Sequence, residues 1–184
     1  GYLIVLLSQT ELEEGSYYQG EYYLMLLVSI LGMVMMTSAR DLVSIFVALE
    51  FLSIPAYMMA AWRKRDEKSN EAGMKYFLLG AFSSALFLFG IALLFGYSAS
   101  LSYAGIGTAA AAAVGMDGMG IVGLVLVLVG LLFKVGAVPF HAWVPDVYQG
   151  APTPVTGFMA AATKTAAFAA IARLLYVAAP GFGW

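Results

Sequence analysis

The chain has no cysteine and a single histidine, His141. Disulfides, thiolate-held zinc and cysteine-ligated iron–sulfur clusters are therefore excluded, and one imidazole cannot hold a haem or a metal ion alone. No metal site or cofactor-binding site is expected here, so any redox chemistry belongs on another chain. Charge is scarce as well: 11% of the 184 residues are charged, against about 25% in ordinary soluble domains. The net charge of −2 gives no reason to expect nucleic acid as a partner. Polar and apolar residues do not alternate as in strands, which excludes a membrane β-barrel, and there is no signal-peptide pattern.

What the chain has in abundance is long apolar runs. It is 62% hydrophobic with a mean hydropathy of +0.87, the composition of an all-α membrane protein. Gly1–Leu7 is apolar but too short to span and reads as the tail of a helix. Residues 8–21 are acidic and polar and are expected to form a solvated loop. The chain ends at Pro180–Trp184 without a polar tail, and we read it as an internal piece of a larger subunit. Five spans at most follow, over 22–38, 42–62, 72–97, 119–140 and 155–179. The first, at about 17 residues, lies near the lower limit for crossing a bilayer. Aromatic stretches at Tyr17–Tyr23, Tyr97–Tyr103 and Trp143–Tyr148 suit interfacial belts. Residues 98–118, with the alanine run Ala109–Ala113, form a longer loop.

The one basic cluster, Arg63–Lys68, sits between the second and third runs. Basic residues concentrate in cytoplasmic loops, so this loop is placed inside the cell. By alternation Arg40 and Asp41 lie outside, and the HAWVPD segment lies inside.

Four charged side chains then stand out within apolar runs: Glu50, Lys75, Lys134 and Lys164. An ionisable group in a membrane span costs a few kcal/mol or more and marks an ion or proton route by default. Glu50 falls near mid-membrane, at about 1.5 Å of rise per residue. It must protonate or find a cation, with Lys134 and Lys75 as the candidates; the bland alternative is a static pair pinning two helices. Lys134 precedes Gly136 and Pro139. Proline lacks a backbone donor and clashes with the preceding turn, so the helix is expected to break near Gly136–Pro139, leaving carbonyls in need of partners. Snorkelling to the inner surface is the other reading for Lys134 and for Lys75. Lys164 lies deeper, among alanines that permit close helix packing. His141, with an unperturbed pKa near 6.5, suits a relay between two lysines or a structural hydrogen bond. Asp146 reads as the cap of a short helix or turn, and Arg173 as lining an exit or snorkelling.

The stretch Leu132–Val155, LFKVGAVPFHAWVPDVYQGAPTPV, closely resembles the antiporter-like membrane subunits of respiratory complex I, a proton-conducting transporter family. Its PFHxWxPD core is shared with the Mrp antiporter relatives, while VYQGAPTPV is similar to subunit N (chain 2 in organelles) in particular. LEFLSIP at Leu49–Pro55 and EAGMKYFLLG at Glu71–Gly80 match the same subunit. The resemblance runs from about Tyr22 to Tyr176. It implies a fragment, roughly helices 4 to 8, of a 14-helix subunit built from two inverted five-helix repeats, with one broken helix. It also implies the roles: Glu50 and Lys134 as the paired glutamate and lysine, Lys75 as the lysine of the helix between them, Lys164 as the next lysine, and His141 as the connection. The second repeat and its lysine are absent from this chain.

The expected function is therefore that of a proton-translocating membrane-arm subunit of a complex I-type NADH:quinone oxidoreductase, in a bacterial cell membrane. Its partners are the other membrane subunits, including neighbouring antiporter-like ones, together with the lipid bilayer, protons and internal water. NADH, FMN, iron–sulfur clusters and quinone are implied on partner subunits. The rivals are a subunit of an Mrp-type cation/proton antiporter and a non-conducting structural membrane subunit.

Overall fold

The computed structural model of the chain describes residues 1–15, 19–113 and 118–182. Backbone polar groups in hydrocarbon must be satisfied within their own segment, and the described residues answer that demand with helices throughout. The elements are α1 (Tyr2–Glu14), α2 (Gln19–Ser38), α3 (Leu42–Ala60), α4 (Glu67–Ser98), α5 (Tyr103–Ala112), α6 (Gly118–Val135), α7 (Val144–Gly150), α8 (Thr153–Phe158) and α9 (Lys164–Ala178). A π-helical segment, Met159–Thr163, joins α8 to α9, and a 3-10 turn, Ala179–Phe182, closes the chain. Among the described residues five stretches are long and apolar enough to cross a membrane: α2, α3, α4, α6 and the continuous Thr153–Phe182 helix.

Helix ends follow local chemistry. Asp41 caps α3, its carboxylate accepting from the Ser44 amide at 2.8 Å and the Ser44 hydroxyl at 2.6 Å. Asp66 and Ser102 cap α4 and α5 in the same way. Pro55 lies inside α3 without ending it. One turn earlier, the carbonyl of Leu52 accepts the Ser29 hydroxyl of α2 at 3.0 Å.

The acidic stretch expected to be a loop is largely helical. Residues 8–14 continue α1, and α2 begins at Gln19. The polar sequence concealed one inward face. Leu12 and Ser8 are buried, the Ser8 hydroxyl is 2.9 Å from that of Tyr22, and Glu11 pairs with Arg63 at 2.6 Å. Within the aromatic stretches Tyr22, Tyr103 and Trp143 are buried in the packing between helices, while Tyr17 falls outside the described residues.

Glycines set the closest helix crossings. A Cβ on Gly90 of α4 would lie 2.8 Å from both the Gly123 carbonyl oxygen and the Val127 nitrogen of α6. One on Gly32 of α2 would lie 2.4 Å from the Leu52 nitrogen of α3. Lipid offers no hydrophobic drive between spans, so backbones pack tightly through small residues instead. Two apolar cores result. One gathers α3, α5, α6 and α9 towards the Asp41 end; the other gathers α1, Tyr57, Tyr76, Trp143 and Val155–Met159 towards the Arg63 end. Gly90→Val drives a side chain into fixed backbone, and overpacking of this kind costs about 1–3 kcal/mol. The expected outcome is a lower thermal unfolding midpoint for the purified assembly carrying the variant.

Candidate functional site

The site is built where α6 stops. Gly136 takes φ +74°, the left-handed conformation that glycine tolerates. The Ala137 amide donates to the Leu132 carbonyl at 3.1 Å, and the Gly136 amide to the Phe133 carbonyl at 3.0 Å. That pair of bonds is a Schellman cap. The helix therefore ends at Val135 because of Gly136, and Pro139 lies beyond the end, after a cis Val138–Pro139 peptide. The chain then turns back on itself. The Trp143 indole donates to the Phe133 carbonyl at 3.0 Å, so a side chain from beyond the break caps the helix it left.

Lys134, on the last turn of α6, is only 2% exposed, which removes the snorkelling alternative. Its ammonium donates to the Tyr76 hydroxyl of α4 at 3.1 Å and stands 5.1 Å from the Tyr57 ring centre of α3. It is also 4.8 Å from the Tyr76 ring centre. An ammonium so near the hydroxyl approaches that ring obliquely, so Tyr76 acts chiefly through its oxygen. Tyr76 stacks on Trp143 at 4.5 Å and 15°, and Tyr57 meets Tyr76 edge-on at 4.6 Å. A desolvated cation–π contact of about 2 kcal/mol and a charged hydrogen bond of about 2 kcal/mol are together of the order of the several kcal/mol lost on burying the ion.

Glu50 of α3 is half-buried, and its Oε1 accepts the Ser84 hydroxyl of α4 at 2.6 Å. It lines an apolar cleft of about 330 Å³ with Val28, Phe46, Val47, Phe51, Ile54 and Pro55. Its charge reaches Lys134 and Tyr57 through space. It makes no direct ion pair among the described residues. Among the described residues the pairs within 4.0 Å join Arg63 to Glu11, and Lys75 to Glu71 and Asp146.

Lys75 is thus not brought to Glu50. It bridges Glu71 at 2.6 Å and Asp146 at 2.5 Å, where α4 meets α7. Asp146 lies in the first turn of α7 and makes a contact between helices, not the local cap expected of it. Lys164 is half-buried at the junction of the π segment and α9. Its ammonium is 5.5 Å from the Tyr148 ring centre and 3.8 Å from where a Cβ on Gly136 would stand, which places it against the break. His141 is exposed on this chain, with no side-chain hydrogen bond among the described residues. Arg173 donates to the Thr37 carbonyl at 3.1 Å.

Sequence reasoning missed Tyr57, Tyr76, Ser84 and the π segment. A signal existed on α4, where Tyr76, Gly80, Ser83 and Phe87 recur at helical spacing and are all buried. The π segment, a form frequent at functional sites, has no such signature.

With this geometry in view, the comparisons are specific. Residues 39–183 match the family model described as "NADH:quinone oxidoreductase/Mrp antiporter, TM". This chain belongs to that transmembrane family. A protein of Beutenbergia cavernae named NADH-quinone oxidoreductase subunit N is 60% identical over 167 residues, covering 90% of this chain and 32% of that protein. A chain of respiratory complex I from Thermus thermophilus with bound aureothin superposes with a TM-score of 0.74 at 48% identity, covering 83% of this chain and 34% of its own. A chain of the Mrp complex from Dietzia sp. shares the fold, with a TM-score of 0.75 at 24% identity over 86% of this chain and 29% of its own. This family member is an integral membrane protein that spans about a third of the length of the curated relatives it matches.

Trp143→Phe keeps a ring beside Tyr76 but removes the donor to the Phe133 carbonyl. That carbonyl retains the Gly136 amide, so the expected cost is about 1 kcal/mol. Trp143→Ala removes the packing too and is expected to cost about 3–5 kcal/mol. Thermal unfolding of the purified assembly, followed for both variants, checks the order and the gap.

Proposed function

We propose that the chain is part of a proton-translocating membrane-arm subunit, of the subunit N kind, in a complex I-type NADH:quinone oxidoreductase. The observation that carries this reading is Lys134. It is buried at a helix break, held by aromatic groups, and within electrostatic reach of Glu50 without touching it. A lysine sealed there has no packing use that leucine would not serve better. The identity shared with proteins named subunit N supports the assignment.

In this mechanism Glu50 and the tyrosines hold Lys134 charged. A charge or conformational signal from a neighbouring membrane subunit alters the Glu50 field, and Lys134 passes its proton through internal water along the break towards Lys164. His141, exposed on the broken segment, carries the connection onward, and Lys75, paired with Glu71 and with Asp146 of that same segment, serves as a water-facing charge at the same end of the bundle. Beyond 4.0 Å the Glu50–Lys134 attraction falls below about 4 kcal/mol at an effective dielectric of about 20, still enough to bias a proton's position. NADH oxidation, FMN, iron–sulfur clusters and quinone belong to partner subunits, and electron transport reaches this chain only as an electrostatic or mechanical signal. The loop Arg63–Lys68 faces the cytoplasm of a bacterial cell by the positive-inside rule.

An Mrp-type cation/proton antiporter is the second reading, because the family description covers both assemblies. The segment Val147–Val155, similar to subunit N, favours complex I. In the assembled enzyme in proteoliposomes, Lys134→Ala is expected to reduce NADH-driven proton uptake at least tenfold, and Glu50→Ala to reduce it less. Wild-type pumping in the Lys134 variant would remove the mechanism. Purification of the subunit without redox partners would favour the antiporter.

A further inference from the structure

We propose that Tyr76 is a positioning residue whose hydroxyl sets the Lys134 ammonium, and that Trp143, beyond the break, in turn sets Tyr76. The inference rests on the proton-transfer reading of Lys134 and adds to it a mechanical input that does not pass through Glu50.

Three contacts fasten the segment after the break to the first turns of α4. The carbonyl of Lys68 lies against Gly150, where a Cβ would meet it at 2.3 Å. Lys75 pairs with Asp146. Tyr76 stacks on Trp143 at 4.5 Å. Lys75 and Tyr76 are neighbours in α4, and Trp143 and Asp146 are three apart at the start of α7, so the ion pair and the ring stack join the same two elements side by side. The exposed pair faces water; the stack is buried and ends on the ammonium. Trp143 also donates to the Phe133 carbonyl, one residue before Lys134. Any displacement of α7 therefore reaches Lys134 twice, through the backbone before it and through the hydroxyl that accepts its hydrogen bond.

The second ring of the cage is equally fixed. A Cβ on Gly80 would lie 2.1 Å from the Tyr57 hydroxyl, so Tyr57 fills the space that only glycine leaves open. With Tyr57 held, Tyr76 is the member of the cage that answers to α7. Its oxygen accepts from the charged lysine, so sliding Tyr76 away withdraws a contact that is stronger for the proton-loaded form.

The test uses the assembled enzyme in proteoliposomes. Tyr76→Phe keeps the ring and its stack and removes only the hydroxyl. A hydrogen bond to a charged group is worth about one pH unit of proton affinity. The pH profile of NADH-driven proton uptake is therefore expected to move about one unit to lower pH, with assembly intact. A ring-fluorinated tyrosine at position 76 weakens the oxygen as an acceptor without changing its shape, and is expected to move the profile the same way by a smaller amount. It also keeps the test open should the phenylalanine variant fail to assemble. Gly150→Ala, whose Cβ would meet the Lys68 carbonyl oxygen at 2.3 Å and so displaces α7 from α4 with no change of charge, is expected to shift the profile in the same direction. Tyr103→Phe, a buried tyrosine of α5 that belongs to the other apolar core, serves as the control that leaves it unchanged. Unshifted profiles for both changes at position 76, in an enzyme that Lys134→Ala inactivates, would overturn the role of Tyr76 while leaving the lysine reading standing. A shift at Tyr76 with none in Gly150→Ala would overturn the link to α7. Full pumping in Lys134→Ala would instead remove the reading on which both depend.

Discussion

A lysine ammonium inside an apolar bundle has to be compensated at once, from several directions, by groups that cannot drift. Everything near the break serves that constraint. The Schellman cap at Gly136 ends α6 one residue after Lys134, which frees the chain to fold back. The return brings Trp143 under Tyr76, and Tyr76 brings a hydroxyl to the ammonium. Tyr57 closes the other side from α3. A continuous helix in place of the break would carry residues 136–143 away from α4 and leave Tyr76 without its stacking partner.

The scaffold around this site is built for a fixed separation of helices. α4 and α6 meet through Gly90, Gly123 and Gly130, whose missing side chains let backbone approach backbone and let Phe87 fill the crossing. Such contacts leave no slack, because interiors packed at crystal density transmit strain instead of absorbing it. The segment after Gly136 is held differently, by one ion pair, one ring stack, one indole hydrogen bond and one close approach at Gly150. A rigid pair of spans thus stands beside a segment held by a few separable contacts.

Much of this was legible in the residues alone. The apolar runs announced the spans, and Lys134 beside Gly136 and Pro139 announced a charge at a break. The cause of the break was less legible. Proline drew the attention, yet the cap belongs to Gly136, because a Schellman motif depends on the φ of one residue and the hydrogen bonds of two, neither of which spacing reveals. The cage was hidden for another reason. Tyr57, Tyr76 and Trp143 lie on three elements, and only tertiary packing brings them together. Lys75 shows the limit of reading charge by position. Glu50 was a plausible partner on depth, but Glu71 one turn back and Asp146 on the folded-back segment were nearer. The acidic stretch at residues 8–14 misled because composition hides periodicity: Ser8 and Leu12, four apart, share the buried side of α1.

The distance between Glu50 and Lys134 bears on how such a site could switch. A contact pair at about 4 Å contributes roughly 4 kcal/mol at an effective dielectric of about 20, a bias near a thousandfold that a signal would have to overcome in full. An equilibrium is easiest to move when its two states differ by little, since a ligand or neighbouring charge shifts it only by its differential effect on the two. Here the carboxylate is engaged by Ser84 and acts on the lysine from beyond contact, while the tyrosines carry part of the burden with neutral groups. Dividing the stabilisation in this way leaves each contributor small enough to be withdrawn separately. A direct salt bridge in the same place would hold the lysine more firmly and, on the proton-transfer reading proposed above, make it a poorer carrier.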